Sequence, residues 1–238
     1  MSGPKVDLVL SSGFLAFARH AGFLRAVEEA GATVEALTGT SSGSVVGALW
    51  AAGMPAQDIA NMFSRLNLLR LTRVGAPWRG GVFSMSGFRA LLAQHLPETF
   101  QALPRPFSVG VVDSNGAHLL LKDGPLLDAV VASCAMPGIF EKVDVGGARY
   151  ADGGAADRLG LGAHRAWRPG TRVLAHWVER TAGKDVDANL DGVTVVKTPR
   201  SGAQFWSLGD VLGQTEQARV LAVAALQQAG FSPPPKTS

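Results

Sequence analysis

The stretch LTGTSSGSVVGALWAAGM, residues 37–54, places a run of small residues between an apolar segment and an alanine-rich one. Its core GTSSG fits the pattern G-x-S-x-G, which is typical of a sharp strand-to-helix turn that lifts a serine hydroxyl clear of the backbone. A helix N-terminus behind Ser41 would also favour negative charge developing there. Two interpretations follow from this stretch: Ser41 is a nucleophile, or Thr40 or Ser42 merely caps the following helix.

The segments around this turn alternate between strand-like and helix-like patterns. Residues 6–10 and 34–37 are short β-rich runs, whereas residues 19–31 and 42–53 have apolar residues at helical spacing. This order of strand, helix, strand and helix predicts an α/β fold with a mainly parallel sheet covered by helices.

The remainder of the chain predicts further strands, helices and two hairpins. The turn DSNG joins strands at 107–112 and 117–121, and a Gly146-Gly147 turn leads back into a strand that ends near Asp152. The other predicted elements are helices at 55–66, 86–95, 123–134 and 208–228 and strands at 171–178 and 192–197.

Length and composition predict one domain over residues 1–231, followed by a proline-rich disordered tail at 232–238. The chain has 238 residues, of which 47% are apolar and 17% charged, enough for a sizeable core. Cys134 is the only cysteine, so neither an intrachain disulfide nor a thiolate metal cluster can form. Without a secretory signal or a long uncharged apolar run, we expect a cytoplasmic protein with at most peripheral membrane contact.

The densest basic stretch is residues 65–79, which contain four of the arginines. No aromatic stacking pattern accompanies them, so we do not expect a nucleic-acid partner. A solvated surface is one interpretation of this stretch and contact with an anionic membrane is another. Phe63 and the leucines of residues 66–71 could be core residues or a cover over the site that meets lipid aggregates.

An acyl-transfer enzyme also needs hydrogen-bond donors for an oxyanion, usually backbone N–H groups. The loop LSSGFLAF, residues 10–17, follows the first predicted strand, and strand ends of a parallel sheet lie side by side. Ser12, Gly13 and Phe14 could therefore present their N–H groups to Ser41. A phosphate-binding loop is disfavoured because G-x-G-x-x-G and the Walker lysine are absent, and a plain turn stays open.

A nucleophilic serine also requires a base. Asp152 leaves a strand into two glycines, in the sequence YADGGAAD, and a well-placed carboxylate can accept the serine proton directly. An ordinary Asp-Gly turn is the alternative for Asp152. His164 and His176 follow Asp152 along the chain, which would give the Ser-Asp-His order of α/β-hydrolases.

These segments together resemble the patatin-like phospholipase family over most of the chain. The glycine-containing first loop followed by HAGFLRAVEEAG, the turn GTSSGSVVGALWAAGM, the strands around DSNG and the segment ending in Asp152-Gly153-Gly154 are each similar to that family's motifs, in the same order. The resemblance implies a three-layer α/β/α sandwich, Ser41 as nucleophile and Asp152 as its partner in a Ser–Asp dyad. It further implies a lipid acyl hydrolase that forms an acyl-serine intermediate and needs neither metal nor cofactor.

Two segments depart from the family pattern. The family's first loop usually has three glycines and a nearby arginine or lysine, whereas residues 11–17 read SSGFLAF and contain no base. After Asp152-Gly153-Gly154, the usual asparagine and proline are replaced in AADRLGL. Either departure could alter the substrate preference or weaken the activity, and the altered loop could bind an acyl chain without turnover, which keeps a non-catalytic lipid-binding member of the family open. A Ser-His-Asp esterase is the alternative among enzymes.

Overall fold

A mainly parallel β-sheet forms the centre of the protein in the computed structural model, which describes residues 4–68, 71, 73–74, 81–186 and 189–231. Alternating strands and helices build it, as the sequence predicts. The strands are β1 (Lys5–Leu10), β2 (Thr33–Thr40), β3 (Arg73–Val74), β4 (Gly81–Ser84), β5 (Phe107–Val112), β6 (His118–Leu121), β7 (Gly138–Phe140), β8 (Val143–Val145), β9 (Ala148–Asp152), β10 (Val173–Val178) and β11 (Val193–Thr198). The helices are α1 (Phe17–Glu29), α2 (Ser42–Ala51), α3 (Ala56–Ser64), α4 (Ser86–Leu92), α5 (Leu126–Ser133), α6 (Leu161–Trp167) and α7 (Val211–Gln228).

The main sheet has the strand order β11-β10-β1-β2-β5-β9-β8, with β6 also paired to β5. The pairs from β11 through β5 are parallel, and β6, β8 and β9 are joined by antiparallel pairs. Both hairpins predicted from the sequence are present as β5–β6 and β8–β9. A small sheet of β3, β4 and β7 was not predicted, because its strands have two to four residues and no clear apolar alternation.

Apolar residues cover both faces of the sheet because side chains alternate along each strand. In β1, Leu8 and Leu10 belong to the larger core cluster, which α1, α2, α3, α5 and α7 also line. Val9 points to the opposite face and packs with Leu161 of α6 in a smaller cluster. Helices therefore flank the sheet on both sides, and the predicted α/β/α sandwich is confirmed.

Two expectations concern segments that the structure describes only in part. Phe63 and Leu68 are buried, at 1% and 9% exposure, so these two side chains belong to the core and not to a lipid-facing cover. Residues 69, 70, 72 and 75–79 of the basic stretch lie outside the described residues, as does the predicted tail at 232–238. The extent of the single domain remains a prediction.

The contact between α1 and α7 depends on Gly22. A Cβ atom at Gly22 would overlap the Thr215 carbonyl oxygen and lie 2.8 Å from the Ala218 Cβ, so the two helices approach each other too closely for a side chain. A Cβ atom at Gly162 in α6 would have no other atom within 4 Å.

We therefore expect Gly22→Ala to lower the free energy of unfolding by about 1–3 kcal/mol, the usual cost of overpacking. The matched variant Gly162→Ala should be neutral or more stable by up to about 1 kcal/mol, because alanine favours a helix over glycine. Denaturant unfolding of both variants checks this. Equal stability of the two variants would contradict the close packing of α1 on α7.

Candidate active site

Ser41 occupies a strained turn between β2 and α2. Its backbone has φ 53° and ψ −122°, a conformation that non-glycine residues rarely adopt and that costs about 1–3 kcal/mol. The turn is held on both sides: the Ser41 N–H donates to the Ser133 Oγ at 2.8 Å, and the Ser44 hydroxyl donates to the Ser41 carbonyl at 2.7 Å. Strain that is held in this way is typical of a functional residue.

The two glycines of G-x-S-x-G are required by space. A Cβ atom at Gly39 would lie 2.5 Å from the Gly43 carbonyl oxygen, across the turn. A Cβ atom at Gly43 would lie 2.5 Å from the Leu10 carbonyl oxygen and 2.7 Å from that of Ser11. The start of α2 therefore packs directly against the end of β1, where the first loop begins.

The pairing of β5 brings Asp152 next to Ser41. β2 and β9 pair with the same edge of β5. The last pair between β2 and β5 joins Thr40 to Gly110, and the next residue of β5, Val111, pairs with Asp152 of β9. Asp152 therefore takes the position along β5 at which β2 ends and Ser41 turns away. The close approach is possible because Gly153 has no side chain: its Cβ would lie 2.5 Å from the Gly110 carbonyl oxygen.

The environment of Asp152 makes it a weaker acid than usual. Burial of this side chain, which is 4% exposed, raises its pKa to about 6, although hydrogen bonding by the Ser41 side chain and by the Gly154 N–H lowers it. The Gly154 N–H donates to the Asp152 Oδ1 at 2.8 Å and so orients the carboxylate. Near neutral pH, this arrangement gives an ionised carboxylate beside a serine hydroxyl.

The structure adds two residues to the site that the sequence analysis missed, both at the end of α5. Ser133 accepts from the Ser41 N–H and donates to the Gly110 carbonyl oxygen at 2.6 Å, so it links the turn to β5. Burial raises the pKa of the Cys134 thiol, and the Asp152 charge raises it further, which keeps the thiol neutral. The only sequence signal for them was the position of SC just before the break at Pro137.

The first loop lies beside both turns, but its three predicted donors differ. The Ser12 N–H donates to the Arg158 carbonyl oxygen at 2.7 Å, so it is already used and cannot serve an oxyanion in this arrangement. Over the described part of the chain, the N–H groups of Gly13 and Phe14 have no hydrogen-bond acceptor. The Ser12 side chain packs against the Asp152 turn, since a Cβ at Gly154 would lie 2.5 Å from the Ser12 Oγ.

Both histidines of the alternative triad are buried and engaged elsewhere. The His164 Nδ1 lies 2.7 Å from the Thr38 Oγ1, and its Nε2 lies 3.3 Å from the buried Asp7 carboxylate. The His176 ring nitrogens lie 2.8 Å from the His20 Nδ1 and 2.9 Å from the Thr198 Oγ1. Among the residues that the structure describes, no histidine forms a hydrogen bond with the Ser41 or Asp152 side chain.

No group of three or more His, Cys, Asp or Glu side chains in the described ranges is placed to hold a metal ion. None of the helices within those ranges combines the length and the apolar character needed to cross a bilayer.

Solved structures of two other proteins show the same fold. VipD from Legionella pneumophila superposes with a TM-score of 0.61 at 13% identity, covering 96% of this chain and 67% of VipD. The type III effector protein ExoU superposes with a TM-score of 0.52 at 16% identity, covering 94% of this chain and 53% of ExoU. At these identities the likeness concerns the fold alone.

Sequence comparison then identifies the family. The model of the patatin-like phospholipase family matches residues 8–163, and the chain belongs to that family. An uncharacterized NTE family protein of Mycobacterium tuberculosis is 31% identical over 168 residues, which are 66% of this chain and 45% of that protein. The lysophospholipase nte1 of Aspergillus fumigatus is 38% identical over 79 residues, 33% of this chain and 5% of that enzyme. The chain thus aligns with less than half the length of these relatives.

The buried carboxyl group should make stability depend on pH. Because the pKa of Asp152 is raised in the folded protein, the protonated form is favoured on folding, and this stabilisation is present at low pH and lost as the pH rises through about 6. We expect Asp152→Asn, which has no charge to bury, to be more stable than wild type at pH 8 by up to about 3 kcal/mol. At pH 4 the difference should be smaller.

Denaturant unfolding of both proteins at the two pH values measures this. The surface variant Asp123→Asn, at an exposed position between β6 and α5, provides the control for loss of one carboxylate. A wild type that is more stable than Asp152→Asn at pH 8 would contradict the burial of an ionised Asp152.

Proposed function

We propose that this protein is a lipid acyl hydrolase in which Ser41 and Asp152 form a catalytic dyad. The observation that carries the proposal is the strained turn at Ser41 beside a buried carboxylate whose pKa lies near 6. Family membership supports hydrolysis of lipid esters in general. The choice of these two residues rests on their geometry.

Acylation would begin with transfer of the Ser41 proton to Asp152. The Ser41 Oγ attacks the ester carbonyl carbon, and the carbonyl oxygen becomes an oxyanion that the N–H groups of Gly13 and Phe14 can receive. When the ester C–O bond breaks, protonated Asp152 gives its proton to the leaving alcohol. The hydrogen bond from Gly154 keeps the carboxylate oriented throughout.

Deacylation would use the same groups on a water molecule. Asp152 takes a proton from the water, whose oxygen attacks the acyl-serine, and the proton returns to the Ser41 Oγ as the free fatty acid leaves. A carboxylate with a pKa near 6 is ionised at neutral pH and is still basic enough to share a proton in the transition state. No step requires a metal ion.

The catalytic roles can be separated by substitution. Asp152→Asn should lower kcat as much as Ser41→Ala, by several orders of magnitude, because residues that act as a unit fail together. His164→Gln and His176→Gln should keep most of the activity per folded molecule, since both rings are bonded away from Ser41. Wild-type kcat/KM should fall below about pH 6, where Asp152 becomes protonated.

Turnover of a monomeric ester and labelling by a fluorophosphonate measure these effects, after thermal melts have established the folded fraction. An inactive but folded His164→Gln or His176→Gln beside an active Asp152→Asn would replace the dyad with a histidine mechanism. A wild type that binds lipid vesicles but neither turns over ester nor takes the label would establish the non-catalytic alternative.

We also propose a surface through which the protein meets lipid aggregates. Gln204 and Ser207 form a reciprocal pair of backbone hydrogen bonds, at 2.7 and 3.1 Å, that closes a tight turn with Phe205 and Trp206 at its tip. These side chains are 56% and 62% exposed. The Phe205 ring lies 5.0 Å from the Phe14 ring, edge to face, so this aromatic turn adjoins the candidate oxyanion loop.

Aromatic side chains of this kind favour the membrane–water interface. Burial of a large apolar side chain contributes about 1.5–3 kcal/mol, and each 1.4 kcal/mol is tenfold in affinity. The double variant Phe205→Ala/Trp206→Ala should therefore lower the ratio of vesicle turnover to monomeric-ester turnover at least about tenfold. The control Val220→Ala, at a 54% exposed position of α7, should leave that ratio unchanged.

Sedimentation with neutral and with anionic vesicles measures binding directly. Equal loss of binding to both vesicle types fits insertion of the aromatic turn. Unchanged vesicle binding and turnover in the double variant would show that lipid is met elsewhere on the surface.

A further inference from the structure

Arg158 is a buried arginine that lies behind the loop of candidate oxyanion donors. Its side chain is 1% exposed, and it is among the largest fully buried side chains of the described residues. A guanidinium stays charged in proteins, and its burial costs several kcal/mol unless its donors and its charge are matched. The Nε of Arg158 is buried without a hydrogen-bond partner in the described part of the chain, so the partners of its two terminal nitrogens indicate its role.

Most of those partners are backbone groups at the edge of the candidate site. One guanidinium nitrogen donates to the Ser12 carbonyl oxygen at 2.9 Å and to the Val178 carbonyl oxygen at 2.6 Å. Another forms an ion pair with Asp185 at 2.7 Å. In return, the Arg158 carbonyl oxygen accepts from the Ser12 N–H at 2.7 Å. Arg158 therefore hydrogen-bonds to both backbone groups of Ser12, to the carbonyl oxygen through its side chain and to the N–H through its own carbonyl oxygen.

The hydrogen bond to the Ser12 carbonyl also sets the direction of the neighbouring Gly13 N–H. The Ser12 carbonyl and the Gly13 N–H belong to one planar trans peptide group, in which they point in opposite directions. A Ser12 carbonyl fixed toward the guanidinium directs the Gly13 N–H away from Arg158. The positive charge also polarises this peptide group, which strengthens the Gly13 N–H as a donor.

We propose that Arg158 is the positioning residue of the oxyanion loop, and that it supplies from outside the loop the cation that residues 11–17 lack. The two departures from the family pattern would then be parts of one arrangement: the loop has no base, and an arginine stands in the segment after the Asp152 turn. The proposal rests on the hydrolase function proposed above.

Arg158 acts on the donors and not on the base. The pKa of Asp152 is governed by burial and by hydrogen bonds from Ser41 and Gly154. The guanidinium charge is felt instead at His20, whose pKa burial lowers to about 3 and Arg158 lowers in the same direction. Loss of Arg158 should therefore reduce kcat without moving the pH midpoint that Asp152 sets.

The test compares Arg158→Met and Arg158→Lys with a matched control, Arg168→Met. Arg168 likewise forms an ion pair with an aspartate, the buried Asp7 at 3.1 Å, but at the amino end of the sheet, away from the loop. We expect Arg158→Met to lower kcat on a monomeric ester about 100-fold, the order of losing an oxyanion donor, with the pH midpoint still near 6. Arg158→Lys should be intermediate, and Arg168→Met should melt earlier but keep its kcat per folded molecule.

Amide hydrogen exchange of Ser12 and Ala16, two loop residues whose N–H groups have backbone acceptors, gives a second readout that does not depend on turnover. These amides should exchange faster in Arg158→Met and Arg158→Lys than in wild type or Arg168→Met. A folded Arg158→Met with wild-type kcat, or loop amides as protected as in wild type, would overturn the proposal. If Arg158→Met does not fold, Arg158→Lys decides on the same two measurements.

The two proposals fail in different ways. A wild type that does not hydrolyse esters removes the hydrolase function but leaves the exchange measurement to decide whether Arg158 orders the loop. A wild type that hydrolyses esters while the Arg158 variants keep wild-type kcat and exchange removes only the role of Arg158.

Discussion

The site depends on backbone turns that pack against each other with no room for side chains between them. Gly43 of α2 sits against the Ser11 carbonyl oxygen, and Gly153 sits against that of Gly110 in β5. Neither glycine has a positive φ, so glycine is required at both positions for space and not for conformational freedom. These two contacts allow the ends of β1, β2 and β9 to come together at the carboxyl edge of the sheet, where open α/β sheets place their ligand sites.

Two energetic costs are concentrated where these turns meet. Ser41 has a strained backbone, and Asp152 carries a carboxylate out of water. The Ser41 backbone is held by a hydrogen bond from the Ser44 hydroxyl and by one that it donates to Ser133. The hydrogen bond from the Gly154 N–H partly offsets the cost of burying the Asp152 carboxylate. A fold that needed only stability would have neither feature, so their coincidence at one point of the sheet is the physical basis for proposing chemistry there.

Local signals in the sequence predicted the Ser41 turn and both hairpins, since such turns depend on a few neighbouring residues. The neighbouring positions of Thr40 and Asp152 along β5 could not be predicted, because strand pairing is decided by long-range packing. The hydrogen bond from the Ser12 N–H to the Arg158 carbonyl oxygen could not be predicted for the same reason, since the two residues are 146 positions apart. Because the Ser12 N–H is bonded within the fold, Gly13 and Phe14 are left as the candidate donors.

Arg158 lies behind the loop of residues 11–17, and the loop itself contains no basic side chain. A basic side chain within residues 11–17 would have to be solvated or paired close to the entering substrate. Arg158 instead reaches the loop through the Ser12 carbonyl and is neutralised by Asp185 on its far side. The Phe14 ring packs against the exposed Phe205 ring, so apolar surface adjoins the candidate donors. A lipid acyl chain could approach the candidate donors across these two rings.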